Sequence, residues 1–330
     1  MKIYIAIMKL KINIYFVFAF LMLVSCKGKI LDPGEADRSM KILNGNLMNL
    51  LTTGSEKTEY QAMVFLFNLE DSPLPFYKTT NPVAPDTLKY NFNKNKGTYI
   101  WDPDSKAFKR SENAELISLN FPSGNFEVNN LWLELSQYES QAYSSRPDLP
   151  TRIDAVIRSD DHQITSIGHT ANIANNLPEN ISTLIKGLDY EAGVELKRTQ
   201  IRKEGKLKID IYLKSKGFEV ISGNLDAEIE YSRQGYFFKT INFYLKLIDH
   251  HVTGKINYAE IDPTAADYIN SFNSNSSIIL YEGNNQVGEI VLNKTDNKEL
   301  LDYFIRFSDG NETLLSNYIP VLKKLLNLKY

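Results

Sequence analysis

"GKLKIDIYLK" (residues 205–214) and, nine residues on, "GNLDAEIEYS" (residues 223–232) decide the fold. In the first, Leu207, Ile209, Ile211 and Leu213 alternate with Lys206, Lys208, Asp210 and Lys214. In the second, Leu225, Ala227, Ile229 and Tyr231 alternate with Asp226, Glu228 and Glu230. Successive side chains of a strand point to opposite faces, so each stretch reads as a strand with one dry and one wet face. Ile241, Phe243, Leu245 and Leu247 continue the pattern downstream, and Thr151, Ile153, Ala155 and Ile157 repeat it upstream, where Val156 interrupts the polar face. Strands wet on one side belong to antiparallel sheets, because parallel strands are covered on both faces. "KSKGFE" (214–219) and "RQGYF" (233–237) supply glycine where hairpins turn.

Further strands follow outward from this centre. "GTYIWDPDSKAFKR" (97–110) has Asp102-Pro103-Asp104-Ser105 between two extended arms, and "SSIILYEGNNQVGEIVLN" folds about Gly283-Asn284-Asn285. "ELLDYFIRFSDG" ends another strand in a turn, and the apolar run "YQAMVFLFNL" (60–69) reads as a buried strand. Residues 71–96 read as an irregular loop with Pro73, Pro75, Pro82 and Pro85.

Three segments have helical spacing. Asp32-Pro33-Gly34-Glu35 is a helix start, with Asp32 as N-cap, Pro33 in the first turn and Glu35 completing a capping box. Met40, Leu43, Leu47, Leu50 and Leu51 form its apolar stripe, and Gly54 is a stop. "DPTAADYINSF" starts a second helix at Asp262, and Leu314, Leu315, Tyr318, Ile319, Leu322, Leu325 and Leu326 stripe a third, broken at Pro320. No fixed-period repeat is present. The pattern predicts an α+β fold: mainly antiparallel sheet of hairpins, curved or half-barrelled, with a few amphipathic helices on one face.

Among 330 residues there is one cysteine, Cys26, so no internal disulfide can form. It closes an apolar run, residues 14–24, too short to span a bilayer and preceded by Lys2, Lys9 and Lys11. Met8 is an alternative start to Met1. The segment Leu23-Val24-Ser25-Cys26 resembles the lipobox of bacterial lipoproteins, and the Asn-, Ile-, Lys- and Tyr-rich composition resembles lipoproteins of the Bacteroidota. The resemblance implies cleavage between Ser25 and Cys26, acylation of the Cys26 thiol and a lipid bilayer as partner. Two acyl chains suffice for stable anchoring without a spanning helix. The expected organisation is a signal peptide over 1–25, a lipidated tether over 26–31 and a globular β-rich domain over 32–330, with a division into halves near 175–200 as an alternative. Lys27, Gly28 and Lys29 follow the cysteine where surface-exported members of that group carry acids, which favours an outer-membrane address facing the periplasm.

The formal net charge is −3, and residues 1–25 carry three lysines and no acid, so the mature chain is more acidic still. Nucleic acid is therefore excluded as a partner, since it requires a clustered basic face. No Gly-x-Ser-x-Gly elbow, Gly-rich phosphate loop or EF-hand loop occurs, so no catalytic residue and no cofactor is assigned. His250 and His251 point to opposite sides of a strand and cannot share one metal ion; His162 lies in a polar turn, and no metal ligand is assigned. Asp86-Thr87-Leu88 is similar to the short O-glycosylation motif of exported Bacteroidota proteins, which implies Thr87 as the modified residue. Phe76, Tyr77, Tyr90, Tyr99 and Trp101 around the proline-rich loop suit either a sugar-stacking platform or ordinary cross-strand packing.

The expected function is that of a non-catalytic envelope lipoprotein that binds or scaffolds an envelope protein, lipid or glycan. An alternative is a carrier of a hydrophobic ligand. A curved sheet closed by amphipathic helices resembles the half-barrel of lipoprotein and lipid carriers, which implies a dry pocket between the sheet and the 40–51 and 314–326 stripes. A second alternative is a glycan-binding or glycan-active surface protein.

Overall fold

The computed structural model describes residues 28–67, 69, 72–74, 90–123, 128–143, 146–174, 177–232, 235–265, 267–295 and 301–320. The signal segment, Ser25, Cys26, Thr87, Phe76, Tyr77 and residues 321–330 of the third helical stripe lie outside them.

Alternation in the sequence becomes one 16-stranded open sheet. Its first strands are β1 (Gly97–Asp102), β2 (Ala107–Glu112), β3 (Ile117–Pro122), β4 (Asn129–Tyr143), β5 (Arg146–Ser159) and β6 (His162–Ala174). The middle strands are β7 (Leu177–Gly187), β8 (Tyr190–Ile201), β9 (Glu204–Ser215), β10 (Phe218–Ser232) and β11 (Gly235–Leu247). The last are β12 (His250–Asn257), β13 (Ser276–Glu282), β14 (Asn285–Lys294), β15 (Leu301–Arg306) and β16 (Glu312–Leu314). From β3 to β16 each strand pairs antiparallel with the next in sequence. At the N-terminal end the order is β3-β1-β2, and β1 runs parallel to β3. The ladder is unbroken across residues 177–201, where β6, β7 and β8 pair in turn. Sixteen strands about 4.8 Å apart span roughly 70 Å, and the edge strands β2 and β16 do not meet.

Two helices lie on one face. Helix α1 (Pro33–Ser55) begins with the expected capping box: Glu35 N–H donates to Asp32 Oδ1 at 2.9 Å and Asp32 N–H to Glu35 Oε2 at 3.4 Å. Such a pair satisfies two amides that the first turn would otherwise leave open. Met40, Leu43 and Leu47 pack with Val252, Leu280, Val287 and Ile305 over the C-terminal strands.

The buried strand expected over 60–69 is instead helix α2 (Thr58–Phe67). Its run of Ala62, Met63, Leu66 and their neighbours is apolar nearly all round, so periodicity cannot separate strand from helix, while Glu59, Gln61, Ala62, Met63 and Leu66 are good helix formers. It covers the N-terminal strands, where Leu66 packs with Phe121, Leu131, Leu133, Leu135 and Ile157.

Among the described residues the shorter helices are α3 (Phe92–Asn95), α4 (Tyr268–Ser274) and α5 (Leu315–Tyr318), with a single 3-10 turn at Tyr258–Glu260. The helix expected to start at Asp262 starts at Asp267, whose side chain accepts from Asn270 N–H. Asp262 caps a separate turn, accepting from the Thr264 amide at 2.8 Å. Leu314 of the third stripe ends strand β16, and only one helical turn, α5, precedes Pro320. The third cluster, Leu207, Ala227, Ile229 and Ile241, lies in the middle of the sheet.

Candidate functional site

Between the two helix-covered ends the register places Ile185, Ala192, Leu213, Ile221 and Leu247 side by side across β7 to β11 on the helix-bearing face. Together with Thr165, Gly187, Tyr190 and Leu245 they floor a cavity of about 390 Å³. Its roof is Leu47, Leu50 and Gly54 from α1 and Glu59, Tyr60 and Met63 from α2. A cavity of this size suits a small ligand or part of an acyl chain, and its lining is almost wholly apolar.

Two buried polar atoms lie just behind this apolar lining. Glu59 and Thr165 are buried, and Glu59 Oε1 and Thr165 Oγ1 have no hydrogen-bond partner among the described residues. They are neighbours: Thr165 pairs with Gly187 across β6 and β7, and a β-carbon on Gly187 would lie 3.3 Å from Glu59 Cγ. Glycine at 187 thus leaves room for the Glu59 side chain to rest on the sheet. Burying a carboxylate oxygen or hydroxyl without a partner is unfavourable by about 1–3 kcal/mol. Both atoms are shut off from the cavity by its apolar lining, so a ligand that brings a hydrogen-bond donor removes that penalty only once lining side chains shift.

The corner between α1 and α2 is fastened beside the cavity. Lys57 Nζ lies 2.5 Å from Asp189 Oδ2 in the β7–β8 turn. The bond raises the Lys57 pKa and lowers that of Asp189, so both stay charged across the neutral range. Beyond the cavity the same sheet face continues uncovered, with Val194 41% and Ile211 37% exposed. It ends at Arg198, a buried guanidinium whose Nε donates to Pro178 O at 2.7 Å and whose Nη1 donates to Tyr231 Oη at 2.7 Å. Nη2 donates to Ala174 O and Leu177 O.

The histidines separate as the alternation requires. His250 is buried against α1, with Nε2 2.9 Å from Ser39 Oγ, whereas His251 stacks on Tyr281 on the opposite face at 4.9 Å between ring centres. Burial lowers the pKa of both. His169 Nε2 lies 3.2 Å from Pro150 O, which can only accept, so Nε2 carries the proton and Nδ1 accepts from Thr183 at 2.8 Å. His162 is exposed at the start of β6. Among the described residues no three His, Cys, Asp or Glu side chains converge as a metal site would need.

The rings near the proline-rich loop pack inward. Trp101 meets Phe65 edge-on at 4.9 Å and Phe108 at 5.3 Å, and Tyr90 meets Tyr138 at 4.8 Å. Tyr99 hydroxyl donates to Asn95 O. Asp102 holds its own hairpin, accepting from the Asp104 amide and the Ser105 hydroxyl, and ion-pairs with Lys109; that lysine, first among these partners, brings its pKa down to about 2.

The fold and cavity together define a class: a single-sheet antiparallel domain with helices over both ends of one face and an apolar pocket between them. No family model matches the chain, and neither a curated protein nor a solved structure matches it. No described helix is long and apolar enough to cross a membrane. The dry pocket was expected between the sheet and the 40–51 and 314–326 stripes. Leu47 and Leu50 do line it, but Leu315 and Tyr318 pack into the core beside α1 instead. Glu59 and Thr165 escape a reading of the sequence, because 106 residues and the apparent strand at 60–69 separate them.

Proposed function

We propose that this chain is a lipid-anchored envelope protein that holds an amphiphile, with the apolar part in the cavity beneath α1 and α2 and a donor-bearing head that reaches Glu59 and Thr165 when the lining side chains shift. The observation that carries this reading is the apolar cavity itself, with two unpartnered polar atoms behind its lining. The half-barrel resemblance and the uncovered apolar floor around Val194 and Ile211 support it. The anchor rests on the lipobox-like Leu23-Val24-Ser25-Cys26, and the outer membrane, facing the periplasm, is the address that goes with it. A scaffold for other envelope proteins is the more general form of the same reading. Glycan recognition gains no support from Tyr90, Tyr99 and Trp101, whose rings are packed against their neighbours.

Gentle purification followed by mass spectrometry of an organic extract tests the carrier. The parent chain should yield an amphiphile bearing an amine or hydroxyl, in near-equal amount to protein. Ala192→Phe, which fills the cavity floor, should yield far less while keeping the circular dichroism spectrum of the parent. Protein that comes out empty in both forms overturns the reading.

A further inference from the structure

Antiparallel pairing gives the sheet two edges of turns, and they are not alike. One edge collects the β1–β2, β5–β6, β7–β8, β9–β10, β11–β12 and β13–β14 turns, together with the start of β4, because strands alternate in direction. The described chain also begins here. Lys29 O accepts from Gln286 N–H and Leu31 N–H donates to Gln286 O, both at 2.9 Å, so the tether is laid along β14 just past the Gly283-Asn284 turn. Gly28 is pressed so closely on Asn284 that a side chain there would collide with its carbonyl. Whatever the apolar run and Cys26 attach to is therefore held within a few residues of this edge. A tether that short brings the turns to the membrane as well.

Those turns carry apolar tips that the fold does not use. Val128 is 71%, Leu188 69% and Phe218 77% exposed, and Ile30 on the tether is 61% exposed. Large side chains left bare at loop tips, spaced along one edge, are what an interfacial contact needs, since rings and aliphatic groups partition into the headgroup–acyl boundary. The cavity floor lies at this edge too: Ile185, Gly187, Tyr190, Leu213, Ile221 and Leu247 are all within three residues of a strand end there.

We propose that this edge docks on the lipid leaflet that holds the N-terminus, with Val128, Leu188 and Phe218 entering the interface and the amphiphile cavity standing directly above it. The inference rests on the membrane-anchored reading for its occupant, and it goes beyond that reading by adding a contact made by the folded domain. Asp104, Asp160, Asp161, Asp189 and Asp249 share the edge with Lys29, Lys106 and Lys216, so its charge is mixed and it is no polybasic patch for anionic lipid. Zwitterionic phosphatidylcholine is the matching surface.

The test uses the full-length chain reconstituted in phosphatidylcholine vesicles, some of the lipid carrying a nitroxide near the carbonyls. Leu188→Trp and Phe218→Trp report from the docking edge; Ile201→Trp reports from a tip of similar exposure on the opposite edge. Each is read against the Trp101 and Trp132 emission of the parent chain. Emission from L188W and F218W should be quenched severalfold more than that from I201W. Equal quenching at all three positions, or none at either docking tip, overturns the proposal, including the case in which a partner protein shields the tips. Quenched tips on a chain whose extract is empty support the docking edge and remove only the carrier reading.

Discussion

The two ends of the sheet and its middle are built from the same alternating strands and behave differently. At the ends a helix lies on the apolar face, and Phe121, Leu131, Leu133 and Leu135 on one side and Met40, Leu43, Val287 and Ile305 on the other are wholly enclosed. In the middle, the face from β7 to β10 has only the corner between α1 and α2 above part of it, and Val194 and Ile211 stay open. An apolar face that is covered stabilises the fold; the same face left bare does nothing for stability and is available to a ligand. The difference teaches that pattern makes the sheet, while cover decides which stretch is core and which is site, whether it comes from α1 and α2 at the ends or from neighbouring side chains around Leu207, Ala227, Ile229 and Ile241.

Truncation should break this comparison open. Leu133→Ala removes an enclosed side chain and should destabilise by about 3 kcal/mol, whereas Val194→Ala should shift the urea midpoint little and reduce the amphiphile recovered on extraction. A midpoint loss at Val194 as large as at Leu133 would mean that the middle is core after all. Arg198 marks where the bare face ends. Arg198→Met leaves three carbonyls and the Tyr231 hydroxyl without their donor, and should cost about 2–3 kcal/mol in urea unfolding. Recovery to parental stability in that variant would show that the buried cation closes nothing.

The smallest effect lies at the covered end and depends on pH. Burial lowers the His250 pKa, against the opposing pull of Glu282 and Asp249, and His251 is lowered by burial as well. Both are held neutral in the fold and take up protons more readily once unfolded. Their contribution is therefore complete above the unfolded value near 6.5 and is lost as pH falls below it. Urea midpoints should decline from pH 7 to pH 5, and His250→Gln should flatten the decline; an unchanged slope would assign it elsewhere.

Much of this architecture can be read from the chain. The capping box at Asp32 and Glu35 is local chemistry, and the strands around 205–247 announce their faces because each side chain has only two directions to point. The failures have local causes too. Tyr60 to Leu69 is apolar all round, so no period survives to separate helix from strand, and the competition between Asp262 and Asp267 as helix start is decided by a turn that Thr264 stabilises. The insertion of β1 between β2 and β3 leaves no trace in either hairpin. The pocket is least legible, since Glu59, Thr165 and Gly187 meet through tertiary packing that no spacing encodes.

From β4 onward every strand touches its predecessor in sequence and, up to β15, its successor, and little else within the sheet, so the molecule is nearly one-dimensional. Ordering can spread hairpin by hairpin from any nucleus, with short loops to close and little long-range search. Growth by whole hairpins meets one limit: only Glu56 and Lys57 join α1 to α2, and Lys57 is tied to Asp189. A hairpin added in the middle widens the bare floor without widening the roof above it.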